Sequence, residues 1–171
     1  MKKIITSLLA LSISLGAGFA QKYAFVDTEY ILSNIPSYKA AQDQLDQFST
    51  DWETEISAMY ADVEQMYRDY QAEEVLLTQE MKRKREDDII NKEKEVKDIQ
   101  NKYFGREGEL YKKRQELIKP IQDEVYNAVK EIAVEGNYAV IFDTSSGPSL
   151  LYTNPRYDLS DDVLEKLGYK N

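Results

Sequence analysis

From residue 37 to residue 118 the chain has no proline, and its apolar residues recur at helical spacing. In the first half they are Tyr38, Ala41, Leu45, Phe48, Trp52, Ile56, Met59, Val63, Met66 and Tyr70. The steps alternate between three and four, except for two successive fours between Phe48 and Ile56. That spacing predicts a coiled-coil seam with one stutter. Near Leu76, Leu77 and Thr78 the pattern stops, and Thr78 is placed to cap a new helix that opens on Gln79 and Glu80.

If the chain folds back there, with paired positions summing to 155, Met66 meets Ile89, Met59 meets Val96 and Ile56 meets Ile99. In the same register Trp52 meets Tyr103, Leu45 meets Leu110 and Tyr38 meets Leu117. One register aligns six apolar layers and mirrors the stutter. Each arm, at about 39 residues, reaches on the order of 60 Å. Charge agrees: residues 37–76 hold ten acids and two bases, and residues 79–118 hold ten acids and twelve bases. Glu53–Lys102, Asp43–Lys112 and Glu73–Lys82 fall opposite each other. Exposed pairs contribute about 0–1 kcal/mol each, so they set register more than stability. One unbroken helix dimerising with another chain is the alternative; the strands at both ends favour the hairpin.

Those strands are Lys22–Asp27 and its near twin Tyr138–Asp143, the second after Gly136, a helix C-cap residue. Residues 145–148 read as a turn and Leu150–Tyr152 as a third strand. A short helix follows, with Ser160 as N-cap, Asp161 and Asp162 in its first turn and Gly168 after its end. Three short strands cannot cover two sheet faces, so a lone copy should be marginal and self-association is expected. The predicted fold is α+β and mostly α: a long antiparallel coiled-coil hairpin over 37–118, with its tip near 76–78, projecting from a small oligomerising β-body. The body is formed by 21–36 and 119–171.

The N-terminus reads as an export signal, with Lys2 and Lys3 before an uncharged apolar run from Ile4 to Ala20. Gly18 and Ala20 are the small residues that cleavage before Gln21 requires. A retained membrane anchor is the alternative, since the run is about as long as the shortest spanning helices. Cleavage leaves 151 residues carrying 31 acids and 20 bases, a charge of −11. The chain has no Cys and no His, which excludes disulfides, thiol or Ser-His-Asp catalysis and zinc fingers. A pI near 4.7 argues against nucleic acid as a partner.

Several stretches together make a recognisable order: Tyr23–Asp27, then Tyr30, Ile31 and Leu32, then Ile35, Pro36, Tyr38, Lys39 and Ala41. Leu77-Thr78 with the basic turn after it, Ile118–Ile121, and Tyr138–Asp143 before a short helix complete it. Over essentially the whole mature chain this resembles the Skp/OmpH family of periplasmic chaperones. The resemblance implies a homotrimer whose strands form one β-body and whose three hairpins surround a cavity. There the family holds unfolded outer-membrane proteins, with no ATP and no cofactor. Family members are often strongly basic; this chain is acidic, which weakens long-range attraction to acidic clients.

A holdase must display apolar surface that its seam does not use. Tyr60 and Tyr67 follow Met59 and Met66, and Phe104 follows Tyr103, forming a second apolar column suited to promiscuous contact. The same residues could simply widen the interhelical core. Glu107, opposite Phe48 and flanked by Gly105 and Gly108, marks a candidate flexible point. Pro120, lacking a helix donor, predicts a kink or break. Lys82, Arg83, Lys84 and Arg85 form a basic patch past the tip, either a weak contact for anionic lipid or a solvated helix start. Two other functions fit less: a client-free structural spacer of the envelope, and an enzyme using Asp27 and Asp143, which end the twin strands.

Overall fold

A computed structural model describes residues 21–145, 150 and 152–169. The export signal lies outside the described residues, as do residues 146–149 of the expected turn. The fold is mostly helical with a small sheet. Its elements are β1 (Lys22–Val26), α1 (Thr28–Ser33), α2 (Pro36–Glu73), a 3₁₀ turn at Glu74–Leu76 and α3 (Gln79–Phe104). They continue with α4 (Glu109–Leu117), α5 (Lys119–Glu135), β2 (Tyr138–Asp143), a 3₁₀ turn at Pro155–Tyr157 and α6 (Ser160–Lys166). The chain divides into two compact units, one spanning Leu32–Val125 and the other made of residues up to Ile31 and from Tyr126 onward.

The first unit is the antiparallel helical pair. Pro36 opens α2, where its fixed φ suits the first turn and its missing N–H costs nothing. Thr78 caps α3 as its position predicts, its side chain accepting from the Met81 N–H at 3.3 Å. The arms close over two apolar clusters. Ala41, Leu45 and Ile118 pack with Tyr38, Leu110, Leu117 and Ile121. Ile56, Val63 and Val96 pack with Met59, Ile99, Tyr103 and Phe104. Between the clusters the stutter is filled by rings: Phe48 stacks on Trp52 at 5.6 Å, and Trp52 on Tyr103 at 4.7 Å with 6° between planes.

The ion pairs expected along the arms largely do not form. Lys112 pairs with Glu109 on its own helix at 2.8 Å, and Lys102 lies 5.3 Å from the Tyr103 ring. Glu53 accepts from Ser49. Neighbours on the same helix take up these side chains with less ordering than a partner across the seam. At the tip the expected Glu73–Lys82 pair is replaced by Lys82–Glu74 at 3.2 Å and Arg85–Glu73 at 3.3 Å. The arms are stitched instead by tyrosine hydroxyls. Tyr67 donates to Glu93 at 3.0 Å, Tyr70 to Glu86 at 2.6 Å, Tyr103 to Glu55 at 3.0 Å and Tyr60 to Gln100 at 3.3 Å.

In the second unit β1 and β2 pair in parallel, with Ala24 opposite Ile141 and Val26 opposite Asp143. The third strand expected at Leu150–Tyr152 is not seen: Leu150 and Tyr152 are irregular, and Leu151 lies outside the described residues. The free side of β1 is met further on, by a bridge from Phe25 to Asp158 and a 2.9 Å bond from the Leu159 N–H to the Phe25 carbonyl. Ala24, Val26, Ile31, Ala128, Val163 and Leu164 are buried in this unit.

Two caps differ from expectation by one residue. Asn137, at φ 55°, takes the left-handed position after α5, and not Gly136. Gly136 is needed for another reason: a Cβ there would run into the Tyr138 ring. Ser160 is the first residue of α6, after Leu159 at the N-cap. Its hydroxyl accepts from the Asp27 N–H at 2.9 Å and donates to Asp158 at 2.6 Å, so it ties α6 to the end of β1.

Candidate functional site

The outer column of the helical pair is built as the residue spacing suggests. Positions directly after seam residues sit at the flank of each arm, so Tyr60 and Tyr67 are 44% and 42% exposed while Met59 and Met66 are half-buried. Phe104 is half-buried and edge-on to Trp52, with ring centroids 6.2 Å apart. Both tyrosine hydroxyls reach across to the other arm, so their rings also extend the interhelical packing. The hydrogen bond to Glu93, with the charge of that carboxylate, raises the Tyr67 hydroxyl above its ordinary value. The same bond to Glu86 pushes Tyr70 up to about 12.

The candidate flexible point is a discrete interruption. α3 ends at Phe104 as the Gly105 N–H returns to the Asn101 carbonyl at 2.8 Å, and α4 restarts at Glu109 with Gly108 as N-cap. A Cβ on Gly105 would collide with the Asn101 carbonyl, and one on Gly108 would lie 2.7–2.9 Å from the Tyr103 carbonyl, the Lys102 carbonyl and the Gly105 nitrogen. Glu107 does not occupy the seam opposite Phe48. The interruption takes it out of helical register and leaves it exposed, while Gly108 is buried. Phe48 instead has the Lys113 ammonium 5.7 Å from its ring. Pro120 is the second residue of α5, and the helix breaks for the single residue Ile118.

At the tip, two of the four bases are spoken for by Glu73 and Glu74, and Arg83 and Lys84 are exposed with no ion pair among the described residues. Residue spacing did not single out Val75 and Leu76, which are 87% and 82% exposed on the 3₁₀ turn. Their place where the seam stops was the available signal.

Asp27 and Asp143 hold backbone rather than form a reactive pair. Asp27 accepts from the Tyr30 N–H at 2.9 Å, capping α1. Asp143 takes the Thr28 N–H and hydroxyl at 3.2 and 2.7 Å, and the Ser145 N–H and hydroxyl at 3.0 and 2.8 Å. Burial pushes Asp143 up, but the bonds from Ser145 and Thr28 outweigh it and hold the carboxyl below its ordinary 3.8. A lowered native value means stability present above the ordinary value and lost as pH falls through the native one. Acid titration should therefore loosen the β1–β2 unit below about pH 4. Asp143→Asn should flatten that dependence in thermal unfolding followed between pH 6 and pH 2; an unchanged pH slope would rule the role out.

Among the described residues no cluster of His, Cys, Asp and Glu could hold a metal, and no helix is long and apolar enough to cross a membrane. Fold and surface define a protein with a helical hairpin and a two-stranded parallel sheet, with aromatic groups displayed along the flanks of the hairpin arms. The family model for outer membrane protein (OmpH-like) matches residues 22–167, and the chain belongs to that family. It is 25% identical over 171 residues to the chaperone protein Skp of Yersinia enterocolitica, covering 98% of this chain and 99% of that one. Among solved structures it resembles a chain from Caulobacter crescentus assigned as an OmpH-like outer membrane chaperone. There the TM-score is 0.66 at 12% identity, covering 88% of this chain and 86% of that one.

Proposed function

We propose that the protein is an ATP-independent holdase of the periplasm, exported by a signal cleaved after Ala20. It binds unfolded outer-membrane proteins between the hairpins of a homotrimer and keeps them from aggregating. The observation that carries this reading is the flank of the hairpin: Tyr60 and Tyr67 stay more than two-fifths exposed, beside half-buried Met59, Met66 and Phe104. That is apolar surface beyond what the seam consumes, of the kind that adapts to many sequences. The kinship with a named chaperone supports it. Association into a trimer is supported by β2, which has no partner on its outer side among the described residues and exposes Val140 and Phe142.

Diluting an unfolded outer-membrane β-barrel from denaturant, with the mature protein at stoichiometric trimer, should suppress light scattering. Unsuppressed scattering would sink the holdase reading. It would leave the spacer, which is favoured by the engagement of the Tyr60 and Tyr67 hydroxyls across the arms.

At the tip, Arg83 and Lys84, with the exposed Val75 and Leu76 of the turn that precedes α3, make a weak contact for anionic lipid. Each base near such a surface contributes about 1 kcal/mol. Replacing Arg83 and Lys84 by Gln should lower binding to anionic liposomes at low salt by roughly thirtyfold. The Lys82→Gln, Arg85→Gln pair should do much less. Equal losses from both pairs would reject the assignment.

A further inference from the structure

Where α3 ends, the two arms leave a cleft of about 410 Å³. Its lining is Glu53, Ile56, Ser57 and Tyr60 on α2, with Gln100 and Phe104 on α3. That volume lies at the small end of ligand pockets, roughly 300–1,000 Å³, so it fits one large side chain and not a helix. The walls are apolar and aromatic: Ile56 is buried, Phe104 is braced edge-on by Trp52, and the ring of Tyr60 is exposed. The rim is polar: the Glu53 carboxylate and the Gln100 carbonyl accept, and the Gln100 amide nitrogen can donate. The Tyr60–Gln100 bond is long, at 3.3 Å, and Glu53 takes only a 3.2 Å bond from Ser49. Both acceptors have capacity for a shorter donor.

We propose that this cleft is a subsite for a tyrosine or tryptophan side chain of an extended client segment. It rests on the holdase reading and specifies it. An aromatic ring finds Phe104 and Tyr60 to pack against, and its O–H or N–H meets the acceptors at the rim. A leucine would fill the walls but bring no donor to Glu53 and Gln100. An acidic side chain is repelled by Glu53, and no base lines the cleft to hold it. A lysine would satisfy Glu53 but offers no ring. Unfolded β-barrels supply such residues, because their strands carry aromatic girdles at both membrane interfaces. The subsite exists because the helix stops at Gly105 beside Phe104.

Trp52 is the sole tryptophan of the chain and stands in contact with Phe104, so its emission reports on the cleft. The probe is a soluble peptide alternating Tyr and Thr, set against the same peptide with Leu for Tyr. The Tyr peptide should change Trp52 emission saturably and bind about tenfold tighter than the Leu peptide, near the upper end of an aromatic pair's contribution. Ser57→Phe, which fills an exposed part of the cleft, should abolish that preference at unchanged helix content. Gln100→Ala, which removes an acceptor without touching the core, should weaken the preference several-fold. Equal affinity of the two peptides, or a preference that survives both variants, overturns the subsite. Barrel aggregation run on the same preparations separates the two readings. Suppression without tyrosine preference keeps the holdase and removes the subsite, and tyrosine preference without suppression does the reverse.

Discussion

Trp52→Ala should lower the stability of the helical pair by about 2 kcal/mol, less than the roughly 3–5 kcal/mol of a fully buried aromatic site because Trp52 is half-buried. Trp52 is the centre of the ring stack that fills the stutter, touching Phe48, Tyr103 and Phe104 at centroid distances of 5.6, 4.7 and 6.2 Å. Tyr103 and Phe104 also pack against Ile56, Val63 and Val96, so an alanine loosens that cluster as well as the stack. Denaturant unfolding followed by helical signal, at fixed protein concentration, measures the loss. Trp52→Phe should recover most of it. A cost below about 1 kcal/mol for the alanine variant would mean that the stack is ornamental to a seam that closes without it.

Gly108→Ala should destabilise, opposite in sign to Gly→Ala in a helix interior, where alanine is favoured by about 1 kcal/mol. Gly108 is the N-cap of α4, a position that already prefers glycine to alanine. Here the added methyl meets three backbone atoms of the α3 terminus at 2.7–2.9 Å, and backbone cannot rotate away as a side chain can. Overpacking of this kind costs about 1–3 kcal/mol, so a net loss near 2 kcal/mol is expected by the same unfolding assay. The interruption is also the proposed place where the arms spread around clients of different size. Amide exchange should then be faster at 104–109 than at 96–100, and the alanine variant should alter it only in the first stretch. A stabilised variant, or equal protection in both stretches, would remove the flexible point together with the need for glycine.

Much of this was legible from residue spacing alone, and its failures have physical reasons. The hairpin register could be read because Ile56, Val63 and Val96 are apolar at positions that leave no other face to bury. The seam pattern is a global constraint, and single errors do not disturb it. Charge pairing was not legible in the same way. Lys112 chose Glu109 over Asp43 because long exposed side chains settle on whichever partner is nearest, which a register cannot supply. Nor does spacing reveal that Tyr70 and Tyr103 spend their hydroxyls on Glu86 and Glu55, since tyrosine reads as apolar in a seam. For the candidate site the two glycines and the stutter marked the right place. Extrapolating the helix through them misplaced Glu107, because the local break overrides the periodicity that located it.

The parallel pairing of β1 with β2 has a consequence for the order of folding. The Lys22 ammonium reaches the Gly136 carbonyl across 114 residues of chain, and the Asp27 N–H reaches Ser160 across 133. Closing so long a flexible loop is entropically slow, and contacts of such separation come late. The arms, whose turn is local, can zip first; once Tyr38 packs with Leu117, 16 residues lead back to Lys22 and 19 lead on to Gly136. The strand made first is thus the last to find its place. Until the C-terminal segment arrives, Tyr23, Phe25 and the open edge of β1 have no cover within their own chain. A newly made molecule should itself behave for a time like an aggregation-prone client.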